Sequence, residues 1–231
     1  MIRLRINING TIVPNNEAWA YEWLGLSYVC PKQVDELIEK ANGEQLDVYI
    51  DSGGGEIFAG SSIYSALKAY GGVVKIHVVG LAASAASVIA CGGDSDISPT
   101  AMLMVHNVSA ESSGDYHQMD KTSNVLKKAN QAMAAAYVEK TGMKESDALA
   151  MMENETWLTA ADAVKKGIID RIAGDNGMRL VASVSNVLPR GTIEKIRNTV
   201  YNPAIQSERN KLYAKLNLLK LKGGNKNGVY F

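Results

Sequence analysis

From Arg3 to Val13 polar and apolar residues alternate until Pro14, the period-two pattern of a strand with one solvent-facing side. Pro31 then opens a stretch in which Val34, Leu37, Ile38 and Ala41 recur at helical spacing, closed by Gly43. Leu46 to Asp51 reads as a buried strand and Ser52-Gly53-Gly54-Gly55 as a tight turn. Beyond it Ile57, Ile63, Leu67 and Tyr70 return to helical spacing until Gly71-Gly72. Val73 to Val79 is a β-branched strand, a helix beginning near Ser84 runs to Gly92-Gly93, and Met102 to His106 is a further short strand. Gln118 to Thr141 predicts one long helix, with Met119, Leu126, Ala129, Met133, Ala136 and Tyr137 as its apolar stripe and Gly142 as its stop. Thr159-Ala160-Ala161-Asp162 has the form of a capping box, with Val164 buried behind it and Gly167 ending the turn before Ile168-Ile169.

Strands alternating with helices at this rhythm predict a layered α/β architecture whose strand-to-helix turns gather at one sheet edge. After Gly174 the chain becomes a polar connector and then, from Ile193 to Lys222, a basic segment. There Leu212, Tyr213, Leu216 and Leu219 suggest a helical docking face. The expected division is a main domain over 1–175 and an extension over 176–231.

Composition narrows the field without choosing a function. The 24 basic and 24 acidic residues cancel, which gives no field for nucleic acid or an anionic membrane. The two cysteines, Cys30 and Cys91, are too few for a disulfide framework. Residues 76–93 lack charged side chains other than histidine, yet their glycine, alanine and serine content is only weakly apolar, so no membrane span is expected. Met1-Ile2-Arg3-Leu4-Arg5 has no signal-peptide pattern, and a cytoplasmic location is expected.

The candidate chemistry begins at Gly80-Leu81-Ala82-Ala83-Ser84-Ala85-Ala86-Ser87. A serine between a strand and a helix lies beside unpaired backbone N–H groups that can hold a developing oxyanion, although the same small residues also suit close helix-on-sheet packing. A serine nucleophile needs a base, and the three histidines differ in what they offer. His77 lies inside a strand, His117 sits at the polar start of the long helix, and His106 ends a strand where it can reach the edge that carries Ser84. A base of this kind needs a carboxylate partner, for which Glu153 and Glu155 are the candidates.

Four separated blocks now carry a resemblance. Tyr49-Ile50-Asp51-Ser52-Gly53-Gly54-Gly55, Gly80-Leu81-Ala82-Ala83-Ser84, Met104-Val105-His106, and Glu155-Thr156-Trp157-Leu158-Thr159-Ala160 with Ala163-Val164-Lys165-Lys166-Gly167-Ile168-Ile169-Asp170 resemble, in order and spacing, the Clp protease proteolytic subunit. The similarity extends over residues 1 to 175 and is nearest to the bacteriophage and prophage branch, the Clp-like head maturation (prohead) proteases. The resemblance implies a Clp/crotonase-type α/β fold, a spiral of β-β-α units with a long projecting helix near residues 118 to 141. It implies Ser84 as nucleophile, His106 as base and Glu155 in the third position, where housekeeping members carry aspartate. The backbone N–H groups of Gly55 and Ala85 would form the oxyanion hole.

By the same resemblance the expected activity is an ATP-independent serine endopeptidase that cleaves capsid or scaffold proteins, with no metal or organic cofactor. The expected assembly is a homo-oligomeric ring, single or as two stacked rings joined through the long helix. No hydrophobic docking surface for an ATPase unfoldase is recognisable, so that partner is not expected. Two other classes share the fold: a crotonase-like acyl-CoA enzyme, which has no need of the Ser84, His106 and Glu155 set, and a catalytically idle assembly module.

Overall fold

Ile6 and Ile8, Val48 and Ile50, and Ile76 and Val78 are fully buried at alternating positions of three adjacent strands, and the helices that cover them define the architecture. The computed structural model describes residues 3–174. Its strands are β1 (Leu4–Ile12), β2 (Tyr28–Val29), β3 (Leu46–Gly55), β4 (Val74–Ala83), β5 (Asp94–Ile97), β6 (Met102–Val105), β7 (Thr156–Thr159) and β8 (Arg171–Ile172). Its helices are α1 (Ala18–Leu24), α2 (Pro31–Ala41), α3 (Ile57–Ala69), α4 (Ala85–Ala90), α5 (Tyr116–Thr141), α6 (Glu145–Glu153) and α7 (Ala160–Lys165). The sheet runs β2-β1-β3-β4-β5-β8 with all neighbours parallel. β6 pairs with the far end of β4 in parallel and β7 pairs antiparallel to β6.

The long strand β4 organises the site. Its first half, Lys75 to Val78, pairs with β5, and its second half, Leu81 to Ala83, pairs with β6. The sheet therefore forks at the end of β4, and Ser84 emerges between β3 on one side and β6 on the other. Every residue of α4 is buried. Ile89 is wholly enclosed, and removing a side chain of that size from water contributes roughly 2 kcal/mol. Small residues permit this depth, because a Cβ on Gly60 of α3 would come within 2.8 Å of the Ala85 Cβ. Both sequence readings of the small-residue run thus hold together: it packs closely and it sets the serine.

Several expectations are corrected. Ser52-Gly53-Gly54-Gly55 is not a tight turn but the end of β3, with Gly54 and Gly55 paired to Thr11 and Ile12 of β1. The stop of α2 is Asn42, left-handed at φ 45°, one residue before the expected Gly43. Val164 is half-buried while its neighbour Ala163 is fully enclosed. The stripe of α5 divides: Met133, Ala136 and Tyr137 pack into this subunit's own core, while Met119 is 38% exposed, so only the first half is available as an interface. The segment 176–231, with the proposed face of Leu212, Tyr213, Leu216 and Leu219, lies outside the described residues.

The sheet face turned away from the core carries ionic and aromatic pairs. Arg5 lies 4.0 Å over the Tyr49 ring, whose centroid is 4.8 Å from that of His77. His77 Nδ1 contacts Asp96 at 2.9 Å, and Asp94 joins Lys75 and Arg171. Hydrogen bonds from Arg171 and Lys75 hold the Asp94 carboxyl down at about 2. No helix among the described residues is long and apolar enough to cross a membrane.

Candidate active site

Ser84 has φ 56° and ψ −125°, close to the first central position of a type II′ turn and uncommon for a residue with a Cβ. Such a conformation costs on the order of 1–3 kcal/mol and survives only where the surroundings fix it. Here they do: the Ser84 N–H donates to Met104 O at 2.9 Å, and the Ser84 carbonyl accepts from the Ser87 N–H at 2.9 Å and from the Ser87 hydroxyl at 2.6 Å. The turn aims the Ser84 Oγ at His106, whose Nε2 lies 2.8 Å away. Since β6 is held against β4 and β7, the imidazole that follows Val105 is presented at the fork of the sheet.

The amides around this pair come from the end of β3 and the start of α4. Gly54 N–H donates to Ser52 Oγ at 3.0 Å. Glu56 N–H donates to Ile12 O at 2.9 Å, so in extended chain the preceding Gly55 N–H points the other way, toward the side of β4 that carries Ser84. The Ala85 nitrogen lies close by, 3.1 Å from where a Cβ on Gly54 would sit. Gly54, which the sequence reading gave no role, is the glycine in closest contact: a Cβ there would be 2.7 Å from the Ser84 Cβ and 2.6 Å from Ala83 O. Three successive glycines were its only signal.

Glu155 is not joined to His106. Its Oε1 accepts from Trp157 Nε1 at 3.2 Å, its backbone is left-handed at φ 44°, and its side chain is exposed. The ladder nonetheless ends at Val105 opposite Thr156, and one further antiparallel step sets His106 opposite Glu155. Glu153 ends α6 and instead lines a separate cleft of about 1090 Å³ along α5, with His117, Asp120 and Lys128. His77 is held by Asp96 and Asp47 on the outer sheet face and takes no part in the cluster.

Beside the Ser84–His106 pair lies a cavity of about 20 Å³ walled by Ile57, Val88, Val108, Met133, Tyr137 and Met152, room for about one water-sized group. Among the described residues no group of three His, Cys, Asp or Glu side chains is placed to hold a metal ion.

The sequence model of the Clp protease family matches residues 30–176. This chain belongs to the Clp protease family. The ATP-dependent Clp protease proteolytic subunit of Chlorella vulgaris is 30% identical over 162 residues, 64% of this chain and 81% of that protein. The corresponding subunit of Deinococcus radiodurans is 28% identical over 140 residues, 59% of this chain and 69% of that protein. That of Bacteroides fragilis is 26% identical over 133 residues, 56% of this chain and 64% of that protein. Membership in the Clp protease family implies serine-type peptidase chemistry and agrees with the mixed α/β fold and its largely parallel sheet. The matched span contains the fork of β4, the glycine strand end and the β6–β7 ladder.

Proposed function

We propose that the chain is a serine endopeptidase of the head-maturation type, in which Ser84 attacks a peptide carbonyl of a capsid or scaffold protein. The observation that carries the reading is the 2.8 Å contact between His106 Nε2 and the Oγ of a serine held in a strained turn. His106 takes the hydroxyl proton as Ser84 Oγ bonds to the carbonyl carbon, and the Gly55 and Ala85 N–H groups hold the resulting oxyanion. His106 then returns the proton to the leaving amine as the C–N bond breaks, and water reverses the sequence on the acyl-enzyme. The small cavity beside the pair, with room for about one water-sized group, suits a small uncharged side chain next to the cleaved bond. A thioester-binding crotonase would need no paired serine and histidine, which weighs against that alternative.

Glu155 serves as the third member once its side chain turns from Trp157 toward His106 Nδ1, a change of rotamer across one ladder step. Glu155→Ala is expected to lower turnover about 10³- to 10⁴-fold, the scale seen when the carboxylate behind a catalytic imidazole is lost. Glu153→Ala should retain the parent rate. Equal rates for the parent and Glu155→Ala would remove Glu155 from the mechanism.

We further propose that the enzyme acts without an ATPase unfoldase, in the cytoplasm or inside the assembling head, as a ring-shaped homo-oligomer. The exposed first turns of α5, with Tyr116, Met119 and Val125 open to solvent, support contact with further copies. Incubation with the neighbouring capsid or scaffold gene product, followed by mass spectrometry of new termini, tests the assignment. Defined new termini that are missing with Ser84→Ala are expected. Intact capsid and scaffold chains beside an enzyme that still reacts with a fluorophosphonate would overturn the head-maturation role and leave the peptidase.

A further inference from the structure

Ser87 and Tyr137 are both buried, at 0% and 2% exposure, and neither takes part in the bond-making steps above, although the Tyr137 ring also walls the small cavity. Their oxygens are 2.7 Å apart. The Ser87 hydroxyl has one proton, and it goes to the Ser84 carbonyl at 2.6 Å. In the contact with Tyr137 the phenol must therefore be the donor. Burial pushes the Tyr137 phenol above its ordinary range, which keeps that proton in place. The bonds run in one direction, from Tyr137 O–H to Ser87 O–H to Ser84 C=O.

The last acceptor matters because of what shares its peptide plane. The Ser84 carbonyl and the Ala85 N–H belong to one planar trans unit and point in opposite directions. An oxygen anchored by the Ser87 hydroxyl and the Ser87 N–H cannot tilt without tilting the Ala85 N–H. Hydrogen bonds accepted by a carbonyl also polarise its amide and strengthen the N–H as a donor.

We propose that Tyr137 and Ser87 are positioning residues that orient and polarise the Ala85 N–H toward the oxyanion formed at Ser84. The inference builds on the peptidase reading, and it ties the buried half of α5 to the reacting carbonyl through three hydrogen-bonded groups. Tyr137 does not touch the substrate's reacting atoms; it acts through Ser87 and the 84–85 peptide.

The rate of Ser84 phosphonylation by a fluorophosphonate tests it, measured against probe concentration and pH for the full chain. Tyr137→Phe removes one hydroxyl and keeps the ring, and Ser87→Ala breaks the chain of bonds at its centre. Loss of a whole oxyanion donor costs about 10²- to 10³-fold, so a donor kept but loosely held should cost about tenfold in the limiting rate. The half-saturating probe concentration and the pH midpoint should be unmoved, and the double variant should be no slower than Ser87→Ala. A role in packing alone would lower the melting temperature and leave the limiting rate of the folded protein unchanged. Parent-like limiting rates in both variants, or a loss confined to the half-saturating concentration or the pH midpoint, would overturn the inference. A parent chain that never labels would sink the peptidase reading, and this inference with it.

Discussion

Ser84→Ala is expected to eliminate fluorophosphonate labelling and to lower peptide hydrolysis roughly a millionfold, the loss found when a comparable serine hydrolase is deprived of its nucleophile. At about 1.4 kcal/mol per decade that is roughly 8 kcal/mol of barrier. The fold should be retained. The backbone bond from residue 84 to Met104 O uses the main chain alone, and the Ser87 hydroxyl still finds the carbonyl of residue 84. Only the contact to His106 Nε2 disappears. The measurement is covalent labelling together with thermal melting. A folded Ser84→Ala protein that still labelled would place the nucleophile elsewhere.

Gly54→Ala is expected to damage the site and the fold together. Its φ of 91° is unfavourable for any residue with a Cβ, and the new methyl would lie 2.6 Å from Ala83 O, 2.7 Å from the Ser84 Cβ and 3.1 Å from Ala85 N. Backbone strain of about 1–2 kcal/mol adds to an overpacking cost of about 1–3 kcal/mol. For a domain of this size the sum corresponds to a melting temperature lowered by roughly 4–20 °C. The clash is relieved by moving Ser84, and a displacement of about 1 Å at a reacting group costs on the order of 100-fold. Phosphonylation measured well below the melting point should therefore fall by at least that factor. Gly53 is the built-in comparison, since a Cβ there meets nothing within 4 Å, and Gly53→Ala should behave as the parent. A Gly54→Ala protein with unchanged melting and labelling would show that the glycine strand end does not shape the site.

The strands that alternate or run apolar, β1, β6 and the first half of β4, were legible in the sequence because their burial follows the pleat, and α2, α3 and α5 because their apolar residues keep helical spacing. The strand expected to end at Val79 instead runs on to Ala83, where adjacent alanines are both buried. The glycine run was misread because glycine signals a turn locally, while here the tertiary partner Ile12 holds it extended. α1 buries none of its residues, so Trp19 and Trp23 left no periodic trace of it. β5 was hidden by its own polarity: Asp94 and Asp96 face outward to Lys75 and His77, and Ser95 is buried only because Asp170 accepts from its N–H and hydroxyl.

The site shows the same limits. Ser84 and His106 were recognisable from their blocks, and the structure joins them. Glu155 was expected beside His106, but its side chain accepts from Trp157, and a side-chain rotamer is something no spacing records. Tyr137 was counted into an apolar stripe by its ring, and the polar tip that reaches Ser87 had no sequence signature.

Because Gly54 and Gly55 are rungs of the β1–β3 ladder and not part of a loop, the recess proposed for the substrate carbonyl is assembled by the same cooperative event that forms the central sheet. No separate ordering step stands between a folded subunit and a shaped recess on that side. Thermal inactivation should consequently follow global melting.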